Sequence, residues 1–451
     1  MSTAAKLDSI RTLIGMAPDQ ALSSLSIALA GADAQLAPVA EIIEREQAVR
    51  RMSAVVFSPI MPLLNARLDG LPAPRFSRPL LKDIWRTLME QRPEMMQALA
   101  AAVEAWDPHD PSPPILDELC IEAAELAEKG APLEFRGRDA GDEARELAIF
   151  LRLCPLARSA LARLGDWLGR ATEERAAVLR LIFKDATAVV DDAAPRLMEI
   201  LLGHLPEAAL ILRPISLITE RASDRYLASS ELAGFGERLL DRVDSLVERL
   251  KSFDTGGGEP AAHAAAADVS TAGAILDEIE HSIDLAREGP WGKRVAAARK
   301  SMAGMIESRL RDCQRAVEQA LPMQAVRLTG RMTRPSPRVS VPPDPRFVNP
   351  AKALMLLLGE TRAAAATGGF GALRAQVAEA LSDFLEVYAD ELVHLLNAGE
   401  APDPAIAHEY LELAAVFLSQ AENDKAAQIV RRRAAVAGTG TGGPDPSQQV
   451  A

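Results

Sequence analysis

The spacing of apolar residues is the feature that most limits what this chain can fold into. Along most of its 451 residues, apolar side chains recur every three or four positions and hardly ever every second position, which is the period of an amphipathic helix. Alanine, leucine, glutamate and arginine, all good helix formers, fill the periodic stretches. The one β-branched alternation is Arg338–Val341, and prolines flank it on both sides. The pattern therefore predicts an all-α protein.

Proline and glycine divide the chain into helical segments of about ten to twenty residues with short joints. Such segments are typical of antiparallel helical hairpins stacked side by side, either as an irregular α-solenoid or as several bundles. The sequence predicts an N-terminal helical segment (1–105), a central helical domain (115–253), a flexible Gly/Ala-rich linker (254–270), a basic helical pair (271–326), a Pro/Arg-rich extended linker (327–350), C-terminal helical hairpins (351–436) and a disordered tail (437–451).

One C-terminal stretch, from Tyr410 to Ala427, has small residues at Ala414, Ala415 and Ala427 and a short polar joint at 422–424. It resembles a tetratricopeptide hairpin, in which small residues let one helix pack closely on the next. It departs from that pattern because it lacks the usual tryptophan and the closing proline, and no strict repeat period runs through the chain. The resemblance implies a helical hairpin over about thirty residues.

Composition and cysteine usage restrict the class of protein. The three cysteines are far apart in the sequence and form no CxxC pair, which argues against a disulfide framework and a thiolate zinc site. The first twenty residues carry charges and a proline where a signal peptide needs an unbroken apolar run, and no apolar run approaches the roughly 20 residues that span a bilayer. We therefore expect a cytoplasmic protein without a transmembrane segment. Arginine greatly outnumbers lysine, which is typical of a GC-rich bacterial genome.

The charge distribution is uneven. Residues 292–346 contain twelve lysines and arginines against four acidic residues, a net charge of +8, which leaves -21 for the rest of the chain. A basic region on an acidic chain attracts nucleic acid, an anionic membrane surface or an acidic protein face. Alternatively it docks onto the acidic helices of the same chain, or it only keeps a linker soluble. Aromatic residues are only 4% of the chain, which disfavours binding of single strands by base stacking.

Two Glu-x-x-His motifs, Glu278 with His281 and Glu391 with His394, are candidates for metal chemistry. In a helical bundle, two such motifs and two further glutamates form a di-iron or di-manganese site. On a helical projection, however, both histidines point away from the apolar face, whereas ligands in a bundle core must point inward. We therefore expect no metal and no cofactor, and a di-metal oxidoreductase is an alternative that these two motifs alone support.

The sequence as a whole predicts a non-enzymatic scaffold or adaptor that acts by binding partner proteins in or beside its helical hairpins. The candidate partner-binding residues lie in the linker of 327–350, where six prolines prevent a regular helix. They are Arg327, Arg331, Arg334 and Arg338. Nucleic-acid binding and peripheral contact with an anionic membrane through residues 292–346 are the alternatives.

Overall fold

A computed structural model describes the chain over residues 3–29, 36–107, 110–129, 140–170, 172–190, 192–219, 222–327 and 333–437. Within these ranges, twenty α-helices, three short 3₁₀ helices and one two-stranded sheet make up the secondary structure, which confirms the prediction of an all-α fold. The chain divides into two compact units, residues 1–221 and residues 222–451. The division falls inside the predicted central domain of 115–253, so that segment does not form a single unit.

The first unit contains eleven α-helices over its described residues. They are α1 (Thr3–Met16), α2 (Asp19–Leu29), α3 (Ala37–Val56), α4 (Arg78–Gln91), α5 (Pro93–Ala105), α6 (Pro114–Glu128), α7 (Ala140–Leu161), α8 (Leu164–Leu168), α9 (Glu173–Val189), α10 (Ala193–His204) and α11 (Leu212–Ile218). Short 3₁₀ helices occupy Met61–Leu64 and Ala208–Ile211.

The sequence predicts a helix break at Pro155, but α7 continues through it. Packing holds this part of α7 in a helix, since its residues Leu151, Cys154 and Ala157 are all fully buried.

Arginines from neighbouring helices satisfy the free carbonyls at helix ends in the first unit. Arg50 of α3 donates to the carbonyl oxygens of Gly15 (3.1 Å) and Ala17 (2.9 Å) at the end of α1. Arg158 of α7 donates to the carbonyl oxygen of Val56, the last residue of α3, at 2.7 Å. These contacts join helices that are distant in sequence and are not visible in the periodicity.

The second unit contains nine α-helices and the β-hairpin over its described residues. They are α12 (Asp224–Leu227), α13 (Ala233–Lys251), α14 (Gly258–Ser282), α15 (Pro290–Ala320), β1 (Met323–Arg327), β2 (Thr333–Pro337), α16 (Pro345–Glu360), α17 (Arg362–Ala365), α18 (Gly371–Asn397), α19 (Pro404–Gln420) and α20 (Asp424–Val436), and a 3₁₀ helix covers Thr255–Gly257. Helices α14 and α15 both pack on α16, and α18, α19 and α20 pack on one another. The β-hairpin is inserted between α15 and α16.

The predicted linker of 254–270 is wrong in its second part, because α14 begins at Gly258 and runs through it. The alanine-rich run has the highest helix propensity of any composition, and its residues Ala262, Ala265 and Val269 are buried against neighbouring helices. Gly258 has a positive φ of 65°, which suits glycine and lets the chain turn into the helix.

The predicted extended linker of 327–350 is correct only in part. Residues 333–337 form β2, and the chain stays non-helical as far as residue 344, but α16 starts at Pro345. Asp344 caps this helix by accepting a hydrogen bond from the Arg346 amide at 2.9 Å, and proline is favourable in the first helical position. The strands also lie outside the alternation at Arg338–Val341 that the sequence singled out. The predicted tail lies outside the described residues from 438 onward.

Helices α19 and α20 form the hairpin that the tetratricopeptide resemblance implies. Ala414, Ala415 and Ala427 are buried, and α19 packs on α20. Glu422 in the joint has a positive φ of 68°, and Asn423 caps α20 by accepting from the amide of Ala426 at 3.1 Å. The hairpin itself is confirmed.

Candidate protein-binding site at the β-hairpin

Two of the candidate residues, Arg327 and Arg334, lie in the β-hairpin, and the two prolines of β2 determine its hydrogen-bond pattern. The antiparallel register pairs Met323 with Pro337, Gln324 with Ser336, Ala325 with Pro335, Val326 with Arg334 and Arg327 with Thr333. Because proline has no N–H, the pairs that exchange backbone hydrogen bonds are Gln324 with Ser336 and Val326 with Arg334. The Arg338 amide donates to the carbonyl oxygen of Pro322 at 2.9 Å and continues the same alternation.

This pattern makes the two outer edges of the sheet different. At Met323 and Ala325 the backbone N–H and C=O point away from β2, and no described residue accepts a hydrogen bond from either N–H. On β2, by contrast, two of the three outward positions are prolines, and α18 packs against that strand. Among the described residues no strand pairs with the outer edge of β1, whereas the outer edge of β2 lacks two of its three N–H donors and is covered by α18.

Contacts with α18 and α19 hold β2 and the segment after it in place. The Arg334 guanidinium pairs with the Glu391 carboxylate of α18, with Nε 3.1 Å from Oε2. Val339 is 2% exposed, and the Tyr410 hydroxyl of α19 donates to the carbonyl oxygen of Val341 at 3.3 Å. On β1, Gln324, Ala325 and Val326 are exposed. One strand of the hairpin is thus anchored, and the other faces outward.

The four candidate arginines have different positions in the structure. Arg327 is the last residue of β1, and Arg331 lies outside the described residues. Arg334 is half-buried and paired with Glu391. Arg338 is exposed and has no carboxylate within ion-pair distance among the residues that the structure describes. Sequence reasoning found the segment that contains β2 but not the edge of β1, which lies before that segment except for Arg327.

Much of the basic region's charge is neutralised inside the second unit. Arg294 of α15 contacts Glu237 and Asp241 of α13, each at 2.7 Å. Arg299 contacts Asp277 and Glu280 of α14, each at 2.7 Å. Burial lowers the pKa of Arg299, but its hydrogen bonds to these carboxylates outweigh that effect, so the pKa is raised. For these two arginines the contacts match the alternative in which the basic region docks onto the chain's own acidic helices.

The two Glu-x-x-His motifs lie on the surface of their helices. His281 and His394 are both exposed, as the helical projection predicted. Glu391 is engaged by Arg334, and Glu278 accepts a hydrogen bond from the Ser282 hydroxyl at 2.7 Å. In the part of the chain that the structure describes, no group of three or more potential ligands could hold a metal ion.

Sequence reasoning missed a buried carboxylate in the second unit. Asp224, at the start of α12, is fully buried, and its carboxylate oxygens lie 3.4 Å from the backbone nitrogens of Ala286 and Gly292. The carboxyl group therefore lies at the N-terminus of α15, where the first backbone N–H groups have no partner within the helix. Gly289 and Gly292 leave no room for a Cβ beside this carboxylate and the Ala286 carbonyl. The sequence feature that could have revealed this site is the Gly-Pro-Trp-Gly run at 289–292. The contacts of Asp224 hold the start of α15 in place.

A shallow groove between α19 and α20 is another candidate surface for partner binding. Its volume is about 410 Å³, and its lining includes Leu411 and Ala434. Arg431 and Glu412, which also line it, form an ion pair with each other at 2.8 Å. Because its charged groups already have partners, we regard the strand edge as the better site.

Among the helices of the described residues, none combines the length and the apolar character needed to cross a membrane. Comparison of the chain with protein-family models, with curated proteins and with solved structures found no match.

Proposed function

We propose that this chain is a non-enzymatic protein-interaction scaffold, or adaptor, that binds an extended segment of a partner protein along the outer edge of β1. The observation that supports it is that the outward N–H groups of Met323 and Ala325 have no acceptor among the described residues, while Pro335 and Pro337 lie on the outer edge of β2. Proteins generally block exposed strand edges, because an open edge pairs with another chain. Within the described residues only the edge of β2 is blocked, which favours use of the edge of β1.

The binding mode is strand addition, in which backbone hydrogen bonds give affinity and alternate side chains give specificity. Each backbone hydrogen bond contributes about 0.5–1.5 kcal/mol net. β1 has five residues, and its outward positions are Met323, Ala325 and Arg327. Because ordering a flexible segment costs free energy, an edge of this length favours a reversible interaction, as an adaptor requires.

The alternatives have less support from the contacts. Arg294 and Arg299 are held in ion pairs with carboxylates of α13 and α14, so they are less available to phosphate groups of nucleic acid or lipid. The di-metal alternative would need Glu391 as a ligand, but this carboxylate pairs with Arg334.

Substitution of Ala325 by proline tests the proposal. Ala325→Pro removes an outward N–H that β2 does not use, and proline is tolerated on an edge strand. Ala325→Val is the matched control, because it keeps the N–H and has high strand propensity.

The parent chain and both variants are used to capture proteins from an extract, and the captured proteins are quantified. We expect at least one protein that binds the parent and Ala325→Val equally and is lost with Ala325→Pro. If the same proteins bind all three chains in the same amounts, the edge of β1 is not the binding site.

A further inference from the structure

We infer that Cys120 and Cys154 are a redox-sensitive pair, which a peroxide oxidises to a reversible disulfide that joins α6 to α7. The pair lies in the first unit and does not depend on the proposed binding site at β1.

Two ion pairs fix the register of α6 against α7. Asp117 of α6 pairs with Arg158 of α7 at 3.0 Å, and Glu128 of α6 pairs with Arg152 of α7 at 2.5 Å. The partner positions decrease along α7 as they increase along α6. The two helices are therefore antiparallel.

This register places Cys120 and Cys154 opposite each other. Cys120 lies three residues after Asp117 in α6, and Cys154 lies four residues before Arg158 in α7, so each thiol is one helical turn from the same ion pair. The Arg158 guanidinium also reaches the Cys120 sulfur, with Nη2 3.8 Å from Sγ. Burial raises the pKa of the Cys154 thiol, and the neighbouring Cys120 thiol raises it further. The fold thus brings together two thiols that are 34 positions apart in the sequence.

Small side chains surround the two thiols. Ala123 and Ala124 of α6 and Ala157 of α7 are fully buried, and the two helices pack on each other. The distance between packed helices depends on the side chains at the contact, and a disulfide needs Cα atoms about 4.4–6.8 Å apart. Alanines at this level favour such a close approach.

The oxidation uses one peroxide molecule for each disulfide. The Cys120 sulfur attacks the O–O bond, which breaks to leave a sulfenic acid on Cys120 and one water. The Cys154 sulfur then attacks the sulfenic sulfur, the S–O bond breaks, and a second water leaves with the proton of the Cys154 thiol. Cys120 is the attacking sulfur because the positive charge of Arg158 lies beside it and stabilises the charge of an attacking thiolate.

Burial restricts which oxidants can react. Both thiols are fully buried, and each donates to a carbonyl oxygen, Cys120 to Val56 at 3.3 Å and Cys154 to Phe150 at 3.5 Å. Thiols are weak donors, so the disulfide replaces two weak hydrogen bonds. A bulky reagent reaches these sulfurs only when the helices open locally, whereas a peroxide is small. The pair is therefore suited to a small oxidant.

Treatment of the folded, full-length chain with hydrogen peroxide tests the inference. The oxidised chain is unfolded in N-ethylmaleimide, which labels every remaining thiol, and its intact mass is measured. We expect only one of the three cysteines to be labelled, and a proteolytic peptide pair that joins Cys120 to Cys154. Dithiothreitol should restore all three thiols. Amide hydrogen exchange in peptides of α6 and α7 should slow about tenfold or more in the oxidised chain, because the cross-link restricts the unfolded state.

Variants assign the roles of the sulfurs. Cys313→Ala is the matched control, since Cys313 is equally buried but lies in the second unit, and it should cross-link as the parent does. Cys120→Ala and Cys154→Ala should form no disulfide within the chain. Dimedone, which traps sulfenic acids, should label Cys120 in the Cys154→Ala variant, and labelling of Cys154 alone in the Cys120→Ala variant would reverse the order of attack.

The parent chain decides the inference without any substitution. Three free thiols after oxidation would reject it, and so would sulfinic or sulfonic acids formed without a disulfide. Oxidation of the chain in urea gives the reference, because all three pairings are open to an unfolded chain. If the folded chain yields the same mixture of pairings, including those with Cys313, the facing positions of Cys120 and Cys154 do not direct the cross-link.

Discussion

Two glycines of α15 differ in their surroundings, so the same substitution should have opposite effects at the two positions. Gly304 is exposed in the helix interior, and a Cβ there meets nothing within 4 Å. Gly292 is buried, and a Cβ there would overlap the carbonyl oxygen of Ala286 and lie 3.1 Å from its carbonyl carbon. We predict that Gly304→Ala stabilises the protein and that Gly292→Ala destabilises it.

The expected magnitudes follow from these surroundings. Gly304→Ala removes the glycine penalty in a helix and should increase the free energy of unfolding by about 0.5–1 kcal/mol. Gly292→Ala has the same propensity gain but forces the Ala286 carbonyl to move, which threatens its hydrogen bond from the Gly289 amide at 2.8 Å. Overpacking and an unsatisfied buried group each cost about 1–3 kcal/mol, so the net loss should be about 3 kcal/mol.

The assay is urea unfolding of the full-length chain, followed by far-ultraviolet circular dichroism. With a slope of about 2 kcal/mol per molar urea, the Gly292→Ala loss lowers the midpoint by about 1.5 M. Amide hydrogen exchange with mass spectrometry should locate the change in peptides of residues 222–292. If Gly292→Ala is as stable as the parent, or if both variants shift the midpoint in the same direction, the proposed contact with Ala286 is wrong.

Three further predictions concern buried and exposed polar groups. Burial raises the pKa of Cys313 to about 12 in the folded protein. The buried neutral thiol therefore contributes its full stability below the pKa of an ordinary thiol, and this contribution falls as the pH rises toward the pKa in the folded protein. In alkaline urea titrations, the free energy of unfolding of a Cys313→Ala variant should depend less on pH than that of the parent. Arg374 is 7% exposed and pairs with Glu422. Arg374→Met should therefore lower the free energy of unfolding by about 2 kcal/mol in urea titrations. An unchanged urea midpoint would show that the ion pair with Glu422 contributes nothing to stability. His281→Ala and His394→Ala replace exposed residues, so each should change stability by less than about 0.5 kcal/mol. Iron or manganese that elemental analysis finds in the parent and that either variant loses would contradict the expectation that these motifs bind no metal.

The position of the helices was predictable, but several of their ends were not. Periodicity and propensity correctly indicated helices such as α13, whose buried residues follow the apolar spacing. The start of α14 was missed because a glycine run suggested a linker, whereas packing of Ala262 and Val269 favours a helix. The continuation of α7 through Pro155 was missed for the same reason. Burial of the neighbouring residues offsets the free-energy cost of a proline inside a helix.

The candidate site was only partly predictable. The prolines and arginines identified the segment 327–350 from the sequence, but β1 begins before it, at Met323. The five residues of β1 have no clear strand alternation, and a strand this short is stable only because β2 pairs with it and α18 covers β2. The salt bridge from Arg334 to Glu391 joins positions that are distant along the chain, so composition could not reveal it.

The sequence by itself determined the all-α class, because the apolar period and the helix propensities act locally, within a few residues of each position. It also determined that the two Glu-x-x-His motifs face outward, since both residues of each motif lie on one helix. Only the tertiary structure decided which arginines are neutralised, where Asp224 lies relative to α15, and which edge of the hairpin is open. Those features depend on contacts between segments distant in sequence, and no local pattern records such contacts.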